Sequence, residues 1–356
     1  MLPLPLILAA NAGVGRPWAH YAIAILAGVT AGITFLVGAL DVAGSSLLIA
    51  LPGGQSRLPL DIGIVATGLI AATLASKPVR ERVAKILPTD PDNPVHALAL
   101  VLAVIFFGLQ VSITLFTSLA SSDQSGIGVG DLVAQDAGLV VLAAAGVGIY
   151  MRRDFRQTAA RLSLVMPAWW QVVLALAAAG AMYAFAEATV ALGQVLTPDL
   201  SRQVSSNVGQ IFGGLVSNPV GIAAVAVLPA IGEEILFRGA LQPRLGLIAT
   251  AFLFTASHSE YGLSLDIVSV LVAAFGLGLL RKFTNTTTSA VAHAAYNLAI
   301  GVGIAASQID AAIAIELVLV AVSAYAIWSG WRRRPPQEKP QSELLTGRVA
   351  EPEKIE

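Results

Sequence analysis

The sequence predicts an all-α fold, a polytopic bundle of about ten transmembrane helices. Hydrophobic residues make up 56% of the chain and charged residues only 12%, and the mean hydropathy is +0.77. A soluble domain carries about 25% charged residues, because its surface faces water. The apolar residues form runs of the length that a bilayer-spanning helix needs, roughly 17 to 25 residues. We therefore expect a multi-pass protein of the cell membrane.

Uninterrupted apolar runs predict the helices in chain order. The second and seventh predicted helices are shorter than the others. The predicted ranges are Tyr21–Leu40, Ile62–Ser76, His96–Ala120, Leu132–Met151, Trp169–Leu196, Val220–Arg238, Leu245–His258, Leu263–Leu280, Thr288–Ala305 and Ala311–Trp328. The apolar piece Ser45–Leu51 is predicted to be re-entrant or interfacial. Met1–Val14 has no basic region before it, so we expect it to lie near the interface rather than act as a cleaved signal peptide.

The basic residues give an independent prediction of topology. They fall in every second loop, whereas the alternate loops hold only Arg57 and Arg202. The basic loops contain Lys77, Arg80, Arg82 and Lys85, then Arg152, Arg153, Arg156 and Arg161, then Arg244, then Arg281 and Lys282, and finally Arg332–Arg334. Excess Lys and Arg marks the cytoplasmic side. Both termini are therefore predicted to be cytoplasmic, with an even number of spans.

The organisation of the chain follows from these runs. Residues 1–215 are expected to form N-terminal transmembrane helices of unassigned role, 216–305 the core that carries the polar motifs, 306–331 the last transmembrane helix and 332–356 a disordered cytoplasmic tail rich in Pro, Glu, Lys and Gln. Ser121–Gly130 is predicted to be a flexible loop.

The chain has no cysteine, which excludes disulfides and cysteine chemistry. No basic patch suggests a nucleic-acid partner.

The sixth predicted helix contains three ionisable residues, Glu233, Glu234 and Arg238, in the sequence VLPAIGEEILFRGAL. Ionisable residues inside a span are costly and are functional hypotheses by default. At 100° per residue, Arg238 lies about 40° from Glu234 and about 140° from Glu233. Glu234 and Arg238 are thus expected to form an i,i+4 pair, while Glu233 points elsewhere and is a candidate general base. The alternative is a structural ion pair near the interface.

Two histidines and an asparagine also lie deep in predicted helices. His258 ends the seventh helix, and His293 lies in the ninth with Asn297 one turn later on the same face. A histidine and an amide placed in this way can donate hydrogen bonds to one oxyanion. The alternatives are that His293 binds a metal, or that it is simply hydrogen-bonded across a helix pair. These side chains reach one another only if helix seven tilts or begins later than predicted.

Five further membrane carboxylates have no nearby partner in the sequence. We expect them to face the bundle interior, a loop junction or water, with a proton or ion pathway as the open alternative. They are Asp41, Asp136, Glu187, Asp266 and Glu316.

The chain resembles a known family in three motifs that occur in order. EEILFR matches EExxxR, FTASH matches FxxxH at Phe254 and His258, and HAAYN matches HxxxN. Together they resemble the CAAX-protease and bacteriocin-processing (CPBP) family of intramembrane proteases, also called type II CAAX prenyl endopeptidase-like. The resemblance extends to FRGAL after the glutamates and to FGLGLLRKFTNTTTSAVAH before the third motif. It covers Asn218 to Gly301, and the first five helices match no family.

The resemblance implies a role for each motif residue. Glu233 and His258 would activate the water that attacks a peptide carbonyl, and His293 and Asn297 would stabilise the oxyanion, while Arg238 would hold Glu234. The family is often labelled metalloprotease, with Glu233, His258 and His293 as the corresponding candidate ligands for Zn²⁺. A metal-free mechanism driven by glutamate is the open alternative. Prenylated substrates are a eukaryotic feature, and prenyl specificity is not carried onto this chain.

Three functions remain as hypotheses at this point. The first is an intramembrane endopeptidase whose partners are the lipid bilayer and a peptide or membrane-protein substrate. The second is a catalytically silent membrane scaffold, immunity or chaperone-like binding protein. The third is a proton- or ion-coupled transporter that uses the scattered carboxylates.

Overall fold

A computed structural model describes residues 3–44, 57–117 and 126–332, and across these ranges the chain is helical with a single isolated β-bridge. This confirms the all-α prediction. The α-helices are α1 Leu4–Gly13, α2 Ala19–Val42, α3 Leu58–Thr73, α4 Lys77–Val83, α5 Pro94–Phe116, α6 Val129–Val147, α7 Phe155–Arg161, α8 Trp169–Leu196, α9 Pro198–Val216, α10 Pro219–Glu233, α11 Gln242–Ala256, α12 Asp266–Phe283, α13 Thr286–Val302 and α14 Ile309–Arg332. A π-helix, Glu234–Leu241, joins α10 to α11.

The distribution of side chains is that of a membrane bundle. On α2, small Ala27 and Ala31 are buried, while Ile25 and Ile33 are more than half exposed. Small residues at the contacts let the helices approach closely, and large apolar residues face lipid. Within the described ranges, six helical stretches are long and apolar enough to cross a membrane, or seven when α3 and α4, bent by 93°, count as one span. The chain is therefore a multi-pass membrane protein.

Hydropathy does not predict the helix α9, because its apolar residues do not form an uninterrupted run. It is amphipathic, and its buried residues Val204, Ile211 and Leu215 recur at the spacing of one helix face. Asn207 on this helix donates a hydrogen bond to the carbonyl oxygen of Glu260, 2.8 Å away. The helix α9 thereby contacts the 3₁₀ turn Ser259–Tyr261 that follows α11.

The chain reverses direction at Gly246. A continuous helix would separate Phe237 and Phe254 by about 25 Å, yet their ring centroids are 5.3 Å apart. Gly246 has φ 77° and ψ 170°, a conformation that is essentially restricted to glycine. The sixth and seventh predicted helices are thus antiparallel arms, and the stretch Pro219–Ala256 contains both. The second arm begins after Gly246, later than the sequence predicted.

The loop predicted between these arms is wrong, because residues 239–244 continue the helix through the π segment. The wide π turn alters the hydrogen-bonding pattern of the backbone, and long side chains supply donors to two of its carbonyl oxygens. Arg281 Nε donates to the oxygen of Arg238 at 3.0 Å, and Arg161 Nη1 donates to that of Gly239 at 3.3 Å.

Three predictions fall on residues that the structure does not describe. The re-entrant or interfacial piece Ser45–Leu51 and all but the first residue of the tail 332–356 lie outside the described residues, as does half of the predicted loop Ser121–Gly130.

Substituting Gly246 with alanine is expected to destabilise the protein by about 1–3 kcal/mol, because a side chain disfavours this backbone conformation. An added Cβ would meet its nearest neighbour, Pro88 Cδ, at 3.9 Å, so the cost is conformational rather than steric. The free energy of unfolding of the detergent-solubilised protein measures this destabilisation. Gly213→Ala is the matched control, since Gly213 is helical and a Cβ added there would meet no atom within 4 Å. Equal stability of the two variants would contradict the reversal at Gly246.

Candidate active site

The candidate site lies where the two arms meet α12 and α13. The π segment supplies Glu234 and Arg238, and the end of α10 supplies Glu233. His258 lies two residues after the end of α11, and α13 supplies His293 and Asn297. The reversal at Gly246 brings the FxxxH motif back beside the EExxxR motif. The side chains therefore converge from segments far apart in sequence.

Glu234 is fully buried and is surrounded by donors. Its Oε1 lies 3.1 Å from Arg238 Nη1 and 3.0 Å from His293 Nδ1, and its Oε2 accepts a hydrogen bond of 2.6 Å from Ser289 Oγ. The i,i+4 pair that the spacing predicted is present. A carboxylate at this depth is stable only when it is paired and hydrogen-bonded.

Arg238 connects the pair to the neighbouring helices. It is 1% exposed, and its Nη2 donates to the carbonyl oxygen of Ala274 on α12 at 3.3 Å. Its guanidinium carbon lies 4.1 Å from the ring centroid of Phe254, a cation–π contact with α11. One side chain thus fixes the π segment against both α11 and α12.

Among the described residues, Glu233 forms no hydrogen bond or ion pair with Arg238, the partner of Glu234. Its side chain is 12% exposed, and its Oε2 lies 4.0 Å from His293 Nε2, which is beyond hydrogen-bond distance. The same oxygen is buried without a hydrogen-bond partner among the described residues. Since His293 Nδ1 contacts Glu234, the imidazole lies between the two glutamates.

The tautomer of His258 follows from its neighbours. Its Nδ1 lies 2.9 Å from the carbonyl oxygen of Phe254, which only accepts hydrogen bonds, so Nδ1 carries the proton. In the neutral ring Nε2 is then an acceptor. A backbone carbonyl commonly orients a functional histidine in this way.

A cavity of about 60 Å³ joins the second and third motifs. His258, His293 and Asn297 line it together with Tyr261 and Tyr296. Asn297 Nδ2 donates to the carbonyl oxygen of Val225 at 3.3 Å, and the amide keeps a second N–H. A larger groove of about 330 Å³ lies between α8 and α9, but it shares no residue with the motifs. The chemistry therefore favours the smaller cavity as the site.

The zinc ligand set is not assembled by the described residues. No three histidine, aspartate or glutamate side chains there are placed to hold a metal ion. Both histidines use Nδ1 toward protein oxygens, Glu234 for His293 and a carbonyl oxygen for His258, which leaves Nε2 as the nitrogen that either could offer to a metal. The present side-chain arrangement does not fit a zinc ion held by Glu233, His258 and His293, and zinc stays a prediction from the resemblance.

Two residues near the site were missed as site residues. Ser289 lies one turn before His293 on the same face, a signal that the sequence did contain. Asp136 on α6 is 3% exposed, and neither carboxylate oxygen has a hydrogen-bond partner among the described residues. Gly232 permits its approach, since a Cβ there would lie 2.6 Å from Asp136 Oδ1. Asp136 lies within electrostatic range of Glu233 and His293, and only the tertiary structure shows this.

Replacing Arg238 with glutamine is expected to lower the free energy of unfolding by about 3–5 kcal/mol, because Glu234 is left as a buried charge without its main partner. Arg202→Gln is the control. It breaks the ion pair with Asp199, in which both side chains are mostly exposed, and such pairs contribute little. Denaturant unfolding in detergent measures the free energy of unfolding of both variants. Similar small losses in both variants would contradict the role given to the buried pair.

A comparison with known protein families gives a match to the part of the chain that carries the candidate site. Residues 215–299 match the family described as type II CAAX prenyl endopeptidase Rce1-like. Neither curated proteins nor solved structures gave a match. The matched segment contains all six candidate residues and supports an intramembrane endopeptidase activity in general. The match confirms the resemblance to the CAAX-protease and bacteriocin-processing family that the three motifs indicated.

Proposed function

We propose that this protein is an intramembrane endopeptidase that hydrolyses peptide bonds of membrane-associated or peptide substrates through water activated by glutamate and histidine. The observation that carries the proposal is the convergence of the three motifs. His293 lies between Glu233 and Glu234, and it shares a cavity with His258 and Asn297. A purely structural ion pair would involve only Glu234 and Arg238, and it would not require the other motif residues to lie nearby.

Glu233 and His258 are the groups that activate water in this proposal. The buried Glu233 Oε2 lacks a partner among the described residues, and buried polar groups normally have one or bind ordered water. His258 lines the cavity, and its Nε2 is the acceptor nitrogen in the neutral ring. As the water oxygen attacks the carbonyl carbon, Glu233 takes the water proton. The proton then passes to the amide nitrogen as the C–N bond breaks.

We assign stabilisation of the oxyanion, which forms from the reacting carbonyl oxygen, to His293 and Asn297. Because His293 Nδ1 donates to Glu234, its Nε2 is the nitrogen left to face Glu233 and the substrate. Nε2 donates to the oxyanion when the ring carries both protons, and Asn297 adds its second N–H. Preorganised donors of this kind stabilise the charge that develops in the transition state.

Glu234, Arg238 and Ser289 act as positioning residues. They fix the imidazole of His293 through the Glu234 carboxylate. Orientation of a catalytic group by buried hydrogen bonds preserves the geometry that the reaction requires. We propose that the cavity opens toward the cytoplasm, the side that carries the basic loops.

The two other hypotheses find less support. The carboxylates of the transporter hypothesis lie in separate places, since Asp41 pairs with Arg57 at 3.1 Å and Glu316 lies against Gly180 of α8. A catalytically silent scaffold would have no need for Glu233, whereas the family match concerns proteases. If Glu233→Ala complements a deletion strain fully, the scaffold hypothesis is favoured over turnover.

Replacing Glu233 with glutamine, or His258 with alanine, is expected to lower cleavage by a factor of at least about 100, because each removes a proton-transfer group. The measurement compares new protein N-termini in membranes of a deletion strain that expresses either variant or the unchanged protein. Glu316→Gln is the matched control, a carboxylate on α14 outside the site. Equal amounts of expressed, detergent-extractable protein show that folding is intact. Retained cleavage in the Glu233 or His258 variant would defeat the assignment.

Removing metal ions is expected to leave cleavage unchanged, because the described residues do not form a metal-ligand set. Purified protein is analysed for zinc, and cleavage of fluorogenic peptides is followed before and after a chelator. Stoichiometric zinc together with loss of activity, restored by zinc, would overturn the metal-free route and leave the protease assignment in place.

A further inference from the structure

Five arginines gather beside the two arms that carry the candidate site. They come from three parts of the chain, namely the turn after α6 together with α7, the start of α11, and the end of α12. Four are partly exposed and one is exposed. This arginine cluster consists of Arg152, Arg153, Arg161, Arg244 and Arg281.

The arginine cluster converges around Arg161. Its guanidinium interacts electrostatically with the other four, and burial together with these positive charges lowers the pKa of Arg161 to about 10. Arg161 and Arg281 donate to the neighbouring carbonyl oxygens of Gly239 and Arg238. Two residues far apart in sequence are thereby held side by side on the π segment.

Across the described ranges, no acidic side chain is ion-paired with the cluster. None of its members forms an ion pair with any part of the chain that the structure describes; their polar contacts are with carbonyl oxygens and with the side chain of Asn11. Each guanidinium offers five N–H donors in a planar fork. Arginines are the preferred partners of phosphate groups, which they bind with paired hydrogen bonds.

The surroundings of the cluster are apolar and exposed. Phe283 is 74% exposed two residues after Arg281, and Ile248 is 65% exposed four residues after Arg244. Phe155, between Arg153 and Arg161, is 68% exposed. A site for a soluble phosphate has no need of apolar neighbours. A phospholipid supplies both a phosphate and acyl chains, and basic sites at the ends of transmembrane helices suit its headgroup.

We propose that the arginine cluster binds the phosphate headgroup of an anionic phospholipid on the face predicted to be cytoplasmic. The acyl chains lie along the exposed apolar residues. The bound headgroup neutralises the repulsion between guanidiniums that hold the carbonyl oxygens of the π segment. Lipid binding thereby stabilises the helix that presents Glu233 and Glu234. The proposal does not depend on the protease assignment, because binding is measured without cleavage.

The test is a lipid titration of the full-length protein in detergent, followed by thermal unfolding. Phosphatidylglycerol is expected to raise Tm by several degrees, whereas phosphatidylcholine leaves it unchanged. In Arg153→Gln/Arg244→Gln, the half-saturating concentration of phosphatidylglycerol is expected to rise at least about tenfold. Arg82→Gln/Arg156→Gln removes two exposed arginines outside the cluster, and its titration is expected to match that of the unchanged protein.

Other outcomes would overturn the proposal. An equal loss of binding in both double variants would mean that general surface charge attracts the lipid. If inorganic phosphate raised Tm and displaced the lipid at equal concentration, the site would be one for a soluble phosphate. Glu233→Gln is expected to bind phosphatidylglycerol like the unchanged protein, which separates this proposal from the catalytic one.

Discussion

The arrangement of the site depends on neutralising one buried charge, the carboxylate of Glu234. Arg238 forms an ion pair with it, and His293 and Ser289 on α13 hydrogen-bond to it. Arg238 also contacts α12 and the ring of Phe254. Without these partners a carboxylate at zero exposure would cost several kcal/mol. The requirement to satisfy it therefore fixes how the π segment, α12 and α13 approach one another. The position of His293 follows from the same requirement.

Two departures from regular helix allow this packing. The π segment lets residues around Arg238 share their carbonyl oxygens with donors from α7 and α12, and the reversal at Gly246 folds the second arm back along the first. A straight helix would carry His258 far from Glu233. The FxxxH motif therefore depends on a single glycine conformation that lies outside any of the three motifs. Departures of this kind are frequent at functional sites, where regular geometry would leave the side chains apart.

Local spacing predicted the parts of the site that lie on one helix. The Glu234–Arg238 pair follows from i,i+4 geometry, and the common face of His293 and Asn297 follows from the helical period. Hydropathy predicted the membrane bundle, but it missed α9, whose buried stripe alternates with polar residues. Neither hydropathy nor spacing shows which helices become neighbours. That is why Asp136, from a helix nearly 100 residues earlier in the chain, was treated as a solitary carboxylate.

The size of the cavity has a consequence for how the enzyme would work. A volume of about 60 Å³ matches about two water molecules at the liquid's share of roughly 30 Å³ each. It has room for a reacting water but not for a stretch of polypeptide. Under the proposed function, the backbone of a substrate would reach His258 and His293 only after the helices part. Turnover would then be governed by how often the bundle opens, a gating step of the kind that often limits enzymes, and segments that unwind easily would be cut in preference to rigid ones.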